Sequence, residues 1–277
     1  MANIQMNLGE DSELKFIAAL GCHINQTIDL SGTFNQKLTI NSVELPGTGL
    51  TKNPIANYSQ SYSIQQIKEF NKTELEEFCK KNKIKKSANT NKADVYINGF
   101  GVSTKYVGPN SDPAIVNHTN RSGWENIASL TSQNIKNLDP IITEYWERRK
   151  ILKTIQEDIK NSNPHSPFRN HKDIFEPYLE FFCFDGSGRG QSKHPAVAMI
   201  EYTDPFNTLT WTLIYKNQFH QYLLNSWQNL RFSLRSKKGM PKNGTSSVKN
   251  VAKRDSIKLW TEDFQGEERG ALHIRLR

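Results

Sequence analysis

The stretch Lys92-Ala-Asp-Val-Tyr-Ile-Asn-Gly-Phe-Gly-Val-Ser-Thr-Lys105 constrains the fold more than any other part of this chain. Asn98-Gly99 lies between two apolar, β-rich runs, and Asn-Gly suits the two positive-φ positions of a tight hairpin turn. The stretch predicts a strand carrying Asp94, a turn at Asn98-Gly99, and a second strand carrying Ser103 and Lys105. Side chains two apart on a strand share a face, so Ser103 and Lys105 point one way while Val102, Thr104 and Tyr106 point the other. An acid on one strand and a polar-x-Lys on its neighbour can meet at one point. Metal-dependent phosphodiester hydrolysis needs such a pairing: an acid to hold Mg2+, and a lysine to steady the attacking water and the phosphate charge.

At these residues the chain resembles the PD-(D/E)XK nucleases, most of all the type II restriction endonucleases. Asp94 matches the invariant acid of that motif and Lys105 its lysine. Ser103 departs from it, since the usual residue there is Asp or Glu, although some restriction enzymes carry Ser, Gln or Asn. A second likeness lies further on. A Gly-x-Gly-Arg-Gly loop, a strand, a Trp-containing strand, a short helix, basic Gly-rich strands and a terminal strand follow one another. That order resembles the C-terminal half of small monomeric restriction enzymes that cut GCGC or CCGG. The two likenesses cover roughly residues 90–110 and 180–277. They imply an α/β (α+β) fold with a restriction-endonuclease-like mixed central sheet flanked by helices, a Mg2+ cofactor, double-stranded DNA as substrate and a companion DNA methyltransferase.

Ser103 is a poor metal ligand, so another carboxylate is expected at the site. Glu13 is the first choice, because the Gly-Glu-x-Ser-Glu start of the first expected helix resembles the acidic first helix of several such nucleases. Glu10 and Glu125 are the alternatives. For Glu10 and Glu13 a favourable interaction with a helix N-terminus is the competing explanation. The backbone carbonyl of Val102 is expected to add a further hard ligand beside Asp94.

Charge supports a polyanionic partner. The 277-residue chain has a formal net charge of +8. Between Arg231 and Lys258 nine cations stand against Asp255 alone, so this segment carries a net charge equal to that of the whole chain. Clustered cations are the footprint of phosphate binding, because each neutralised phosphate releases counterions. Lys237, Lys238, Lys242 and Lys249 are assigned to phosphates. In Gly186-Ser-Gly-Arg-Gly-Gln-Ser-Lys193, Arg189 and Gln191 have the donors to read base edges, and Lys193 adds a cation. Asn117, His118 and Arg121 offer further donors to phosphates or bases, or else form a polar loop and helix cap. No Walker Gly-Lys-Ser/Thr is present, and His118, His165 and His171 lack the spacing of a His-metal nuclease.

Fourteen Phe, nine Tyr and five Trp argue for a folded core. No apolar run is long enough to span a membrane, and the N-terminus lacks the basic and apolar regions of a signal peptide. Cys22, Cys79 and Cys183 are far apart and form no CxxC pair, which fits a reduced, cytoplasmic protein and neither a zinc finger nor a disulfide framework. Helices are expected over 9–20, 64–82, 123–134, 139–161, 172–182 and 217–226. Strands are expected over 195–202, 209–215, 229–235, 256–264 and 271–277. The Pro-rich connector 161–168 divides the chain into a catalytic region, 1–163, and a DNA-recognition region, 164–277. The expected activity is that of a type II restriction endonuclease acting as a monomer or homodimer. The alternatives are a repair nickase of the same fold and a DNA-binding protein without catalysis.

Overall fold

The computed structural model describes residues 8–32, 34, 36–235, 249–264 and 267–276. The protein is a mixed α/β chain, and it separates into two compact units. One takes the chain up to Pro113, then Cys183–Asp185 and Ser192–Phe219. The other takes Ala114–Phe182, Gly186–Gln191 and His220–Arg277. The expected break near residue 163 therefore falls inside the second unit. There Asn161 accepts from Ser166 Oγ (2.9 Å) and donates to the Trp227 carbonyl (3.2 Å), so the Pro-rich stretch is a packed turn and not a linker.

The first unit contains α1 (Leu8–Cys22), β1 (Gln26–Asp29), β2 (Lys37–Ile40), β3 (Val43–Pro46), β4 (Lys52–Pro54), α2 (Ile64–Glu69) and α3 (Lys72–Lys81). The hairpin follows as β5 (Val95–Ile97) and β6 (Phe100–Tyr106). Asn98 and Gly99 both have positive φ, 53° and 81°, as the Asn-Gly turn requires. The Asn98 side chain also anchors the turn: its Oδ1 accepts from the Asn41 amide (2.7 Å) and its Nδ2 donates to the Thr39 carbonyl (2.7 Å). Later chain returns as β11 (Ala198–Tyr202) and β12 (Trp211–Tyr215), giving a six-stranded sheet of order β12-β11-β6-β5-β3-β4. β11 runs parallel to β6 and the remaining pairs are antiparallel, so the sheet is mixed.

α1 covers this sheet. Its run Phe16-Ile-Ala-Ala-Leu20 is wholly buried, and Phe16 stacks on Tyr202 with ring centroids 4.7 Å apart. Gly21 is where the helix meets Tyr58: a Cβ there would lie 2.3 Å from the ring, and the Tyr58 hydroxyl donates to the Ala18 carbonyl at 2.6 Å. The expected single helix over 64–82 is two helices. The first ends at Phe70, and Asn71 caps the second, accepting from the Glu74 amide while Glu74 accepts from the Asn71 amide.

The second unit holds β7 (Ala114–Asn120), α4 (Arg121–Leu130), α5 (Asp139–Trp146), β8 (Ile159–Lys160), α6 (Lys172–Glu180), β9 (Gly186–Ser187) and β10 (Gly190–Gln191). It continues with α7 (Phe219–Ser226), β13 (Arg231–Arg235), α8 (Val251–Lys258), β14 (Glu262–Phe264), β15 (Glu267–Arg269) and β16 (Ala271–Arg275). β7-β16-β13-β8 form a four-stranded sheet. An aromatic core includes Phe168, stacked on Phe232 at 4.4 Å, with Phe175 and Trp227 against the same ring.

Two expectations fail here. The helix expected over 139–161 ends in a π-helical turn at Glu147–Ile151, and Lys153 has φ of 54°. Ile151 and Leu152 are exposed, whereas Ile155 and Ile159 are buried by the returning chain, which Tyr145 Oη holds through the Glu157 carbonyl (2.7 Å). The strand expected over 256–264 begins as the end of α8. Asn250 caps that helix by accepting from the Lys253 amide.

Candidate functional site

Asp94 sits where β5 begins, and its carboxylate extends the ladder past the end of that strand. Its amide donates to the Val102 carbonyl (2.9 Å), while Oδ2 accepts from the Thr104 amide (2.6 Å), Thr104 Oγ1 (3.2 Å) and Ser103 Oγ (3.4 Å). A further strand residue would have taken the Thr104 amide; the carboxylate takes it instead. Three donors to one oxygen fix the direction of the carboxylate. Among the described residues no donor reaches Oδ1.

Glu13, on α1, reaches the same place. The Ser87 amide donates to its Oε1 (3.3 Å), and Ser87 Oγ donates to the carbonyl of Ala93, next to Asp94. Ser87 thus ties the helix acid to the chain that presents the strand acid. Burial, and then the neighbouring Asp94 charge, push the Glu13 carboxyl up to about 8, with Lys86 and Lys105 opposing. Lys105 is half-buried on β6 and acts electrostatically on both Glu13 and Lys92.

Lys92 is a member of this group that the hairpin motif does not include. Its amide and that of Ala93 donate to the His194 carbonyl (3.0 and 2.9 Å), and Ser192 Oγ accepts from it at 3.2 Å. His194 is itself buried and bonded through Nδ1 to Tyr96 Oη (2.8 Å). Burial and the like charge of Lys105 lower the Lys92 ammonium to about 8. Lys92 stands two residues before Asp94, and that i,i+2 spacing was the available sequence signal. Thr104 was also overlooked, because its contribution includes a backbone amide that any residue would supply.

Glu13, Asp94, Ser103 and Lys105 are therefore gathered in one unit, with Lys86, Ser87, Lys92 and Thr104 around them. Ser103 is buried and donates to Asp94. The Val102 carbonyl differs from expectation: it faces the Asp94 amide and serves the sheet. In an extended strand a residue's N–H and C=O leave on the same side, so the Thr104 carbonyl, which follows the Thr104 amide toward Asp94, is the better-placed backbone oxygen. Glu10 lies on α1. Glu125 belongs to the other unit, where it accepts from Ser256 Oγ (2.7 Å) and Arg121 (3.4 Å). Among the described residues no three His, Cys, Asp or Glu side chains converge. Two carboxylates are still enough for Mg2+, which commonly uses one or two and retains several waters.

The expected DNA contacts fall into different classes. Arg121 is buried and grips Asp139 through two bonds (2.7 and 2.8 Å), with a third to Ser256 Oγ (2.9 Å). Its donors are spent inside the unit, so it is a structural arginine and not a surface contact. His118 packs its ring 4.5 Å from that of His273, and Asn117 beside it is exposed. Arg189 is exposed at the tip of the β9–β10 hairpin, where it and Lys253 line a groove of about 950 Å³ also walled by α4 and α8. The hairpin can approach α4 because glycines meet there: a Cβ on Gly123 would lie 3.2 Å from the Gly188 Cα. Gln191, Lys193 and Lys249 are exposed. Lys237, Lys238 and Lys242 lie outside the described residues. Cys22, Cys79 and Cys183 are buried free thiols, and among the described residues no helix is long and apolar enough to cross a membrane.

Searches for a matching protein-family model, a similar curated protein and a similar solved structure each find no match.

Proposed function

We propose that this chain is a Mg2+-dependent DNA endonuclease of the restriction type, with Glu13, Asp94 and Lys105 at its centre. One observation carries the reading. Two carboxylates from distant parts of the chain share a partly buried place with two lysines, and their mutual repulsion with burial holds Glu13 mostly protonated near neutrality. A divalent cation would remove both penalties, which makes the pair a better metal site than an ion-pair site. When bound, Mg2+ would polarise a phosphodiester oxygen and lower the pKa of a coordinated water.

The chain's own residues have separate tasks in this reading. Asp94 is aimed by Thr104 and Ser103, which hold its Oδ2. Glu13, once its proton had passed to solvent, would be the second oxygen ligand. Ser103 orients Asp94 in place of binding metal. Lys105 stabilises charge that builds on the phosphate. Lys92, with an ammonium lowered to about 8, is poised to exchange a proton close to neutral pH. The chain's net charge of +8 and its exposed cations Arg189, Lys193, Lys249 and Lys253 favour a polyanionic substrate. A companion methyltransferase would be needed to protect host DNA at the same site.

Digestion of plasmid DNA by the purified chain with Mg2+ tests the proposal. Discrete fragments support a restriction enzyme, whereas nicks confined to mismatches would assign the site to repair. Strong, salt-sensitive binding with no cleavage in Mg2+ or Mn2+ would overturn the catalytic reading.

A further inference from the structure

The four-stranded sheet of the second unit has one apolar face, and its other face is cationic at the end that carries Lys160, Arg231 and Arg275, while Ser233 and Ala271 on that face are buried. Phe232, Leu234, Leu272 and Ile274 are fully buried on one side. Alternation then puts Arg231, Ser233 and Arg235 of β13 on the other, opposite Arg275, His273 and Ala271 of β16. Lys160 of β8 pairs directly with Arg231, which pairs directly with Arg275. Three cations therefore stand side by side across three strands. Like charges directly opposite one another destabilise a sheet.

The neighbouring acids do not cancel this row. Asp158 pairs with Arg275 and, at 3.6 Å, with Arg235, while Glu157 serves Arg149 at 3.3 Å and Arg235 at 4.0 Å. Two carboxylates thus serve three guanidinium groups, and among the described residues Lys160 and Arg231 have no acidic partner. Polar atoms within the face lack hydrogen-bond partners as well. Arg231 Nε and His273 Nδ1 are buried without a hydrogen-bond partner among the described residues, and His273 is 8% exposed. Burial first, then His118, Arg235 and Arg275, lower the His273 imidazole to about 3. The face therefore resists any further positive charge.

We propose that this face, centred on the Lys160–Arg231–Arg275 row, is a binding site for the phosphodiester backbone of double-stranded DNA. A phosphate laid across the row would relieve the cross-strand repulsion and supply an acceptor to Arg231 Nε. Cations spread along a sheet suit a chain of phosphates better than a single small anion. The choice of DNA as ligand rests on the proposed function, but binding here requires neither metal nor cleavage.

The test is fluorescence anisotropy of a short random-sequence duplex with the whole chain in EDTA, over a series of salt concentrations. Arg231→Gln and Lys160→Gln should each weaken binding and reduce the slope of log K against log salt by about 0.9, the value for one lost phosphate contact. Arg231→Lys, which keeps the charge, should restore most of the slope, and Lys80→Gln on the exposed face of α3 should leave it unchanged. An unchanged slope in variants that keep the wild-type melting temperature would overturn the proposal. Equal loss in Lys80→Gln, displacement by millimolar inorganic phosphate at constant ionic strength, or absence of DNA binding would also overturn it. If plasmid cleavage fails while these slopes behave as stated, the nuclease reading falls and this site stands. If cleavage proceeds and the slopes do not move, only this site falls.

Discussion

Loading the acid pair with a divalent cation should expel a proton, and the number is set by Glu13. Its carboxyl is raised to about 8, first by burial and then by Asp94. A metal ligand must be deprotonated, so Mg2+ binding should release about 0.9 proton near pH 7 and about 0.1 near pH 9. Calorimetric titration with Mg2+ in buffers of matched pH and different ionisation enthalpy measures this count directly. Glu13→Gln should bring it close to zero at every pH. The same shift governs stability without metal. Because the folded carboxyl lies above its ordinary 4.5, the folded chain holds more protons than the unfolded one between 4.5 and about 8. The stabilisation from the protonated acid is complete below 4.5 and is lost as pH rises through about 8. The full span is on the order of 5 kcal/mol. Metal-free Glu13→Gln should therefore be markedly more stable than wild type near pH 9 and equal to it near pH 4. A wild-type proton count near zero at pH 7, or the same count in Glu13→Gln, would refute the reasoning.

Asp94→Ala and Lys105→Ala should each lower the cleavage rate by about 10²-fold or more while DNA affinity in EDTA changes little; wild-type turnover in either would remove that residue from the centre. Arg121→Ala should cost about 3–5 kcal/mol in chemical denaturation by stranding Asp139, yet leave the salt slope of DNA binding unchanged in the folded fraction. Arg189→Ala should reduce discrimination between the target and random DNA by about 1–3 kcal/mol, read from paired affinity measurements. Equal weakening on both DNAs would make Arg189 a phosphate contact.

The hairpin was legible because its turn chemistry is local: two consecutive positive-φ positions call for Asn-Gly, and the register of Asp94 against Ser103 and Lys105 follows from it. The helix end near residue 151 was not, because Ile151, Leu152, Ile155 and Ile159 continue a helical spacing while the chain reverses at Lys153, whose positive φ has no sequence signature. In α8, Ser256 and Ile257 read as strand, but the Asn250 cap and the contacts of Ser256 to Arg121 and Glu125 keep them helical. Glu13 was within reach, since the missing acid at Ser103 required a replacement and α1 begins with acids. The burial of Lys92 was not, because the chain that encloses it, Ser192 to His194, lies about a hundred residues away. The Lys160–Arg231–Arg275 row depends wholly on long-range register. The linear division near residue 163 differs from the two units because the chain crosses between them five times.

The most direct test of the central claim is anomalous diffraction from crystals of the chain soaked in Mn2+, a hard cation that reports its own position. A single strong peak bonded to both the Asp94 and Glu13 carboxylates, absent in Asp94→Ala crystals, is the result expected. A peak elsewhere, or none beside Asp94 at saturating Mn2+ above pH 8, would contradict it.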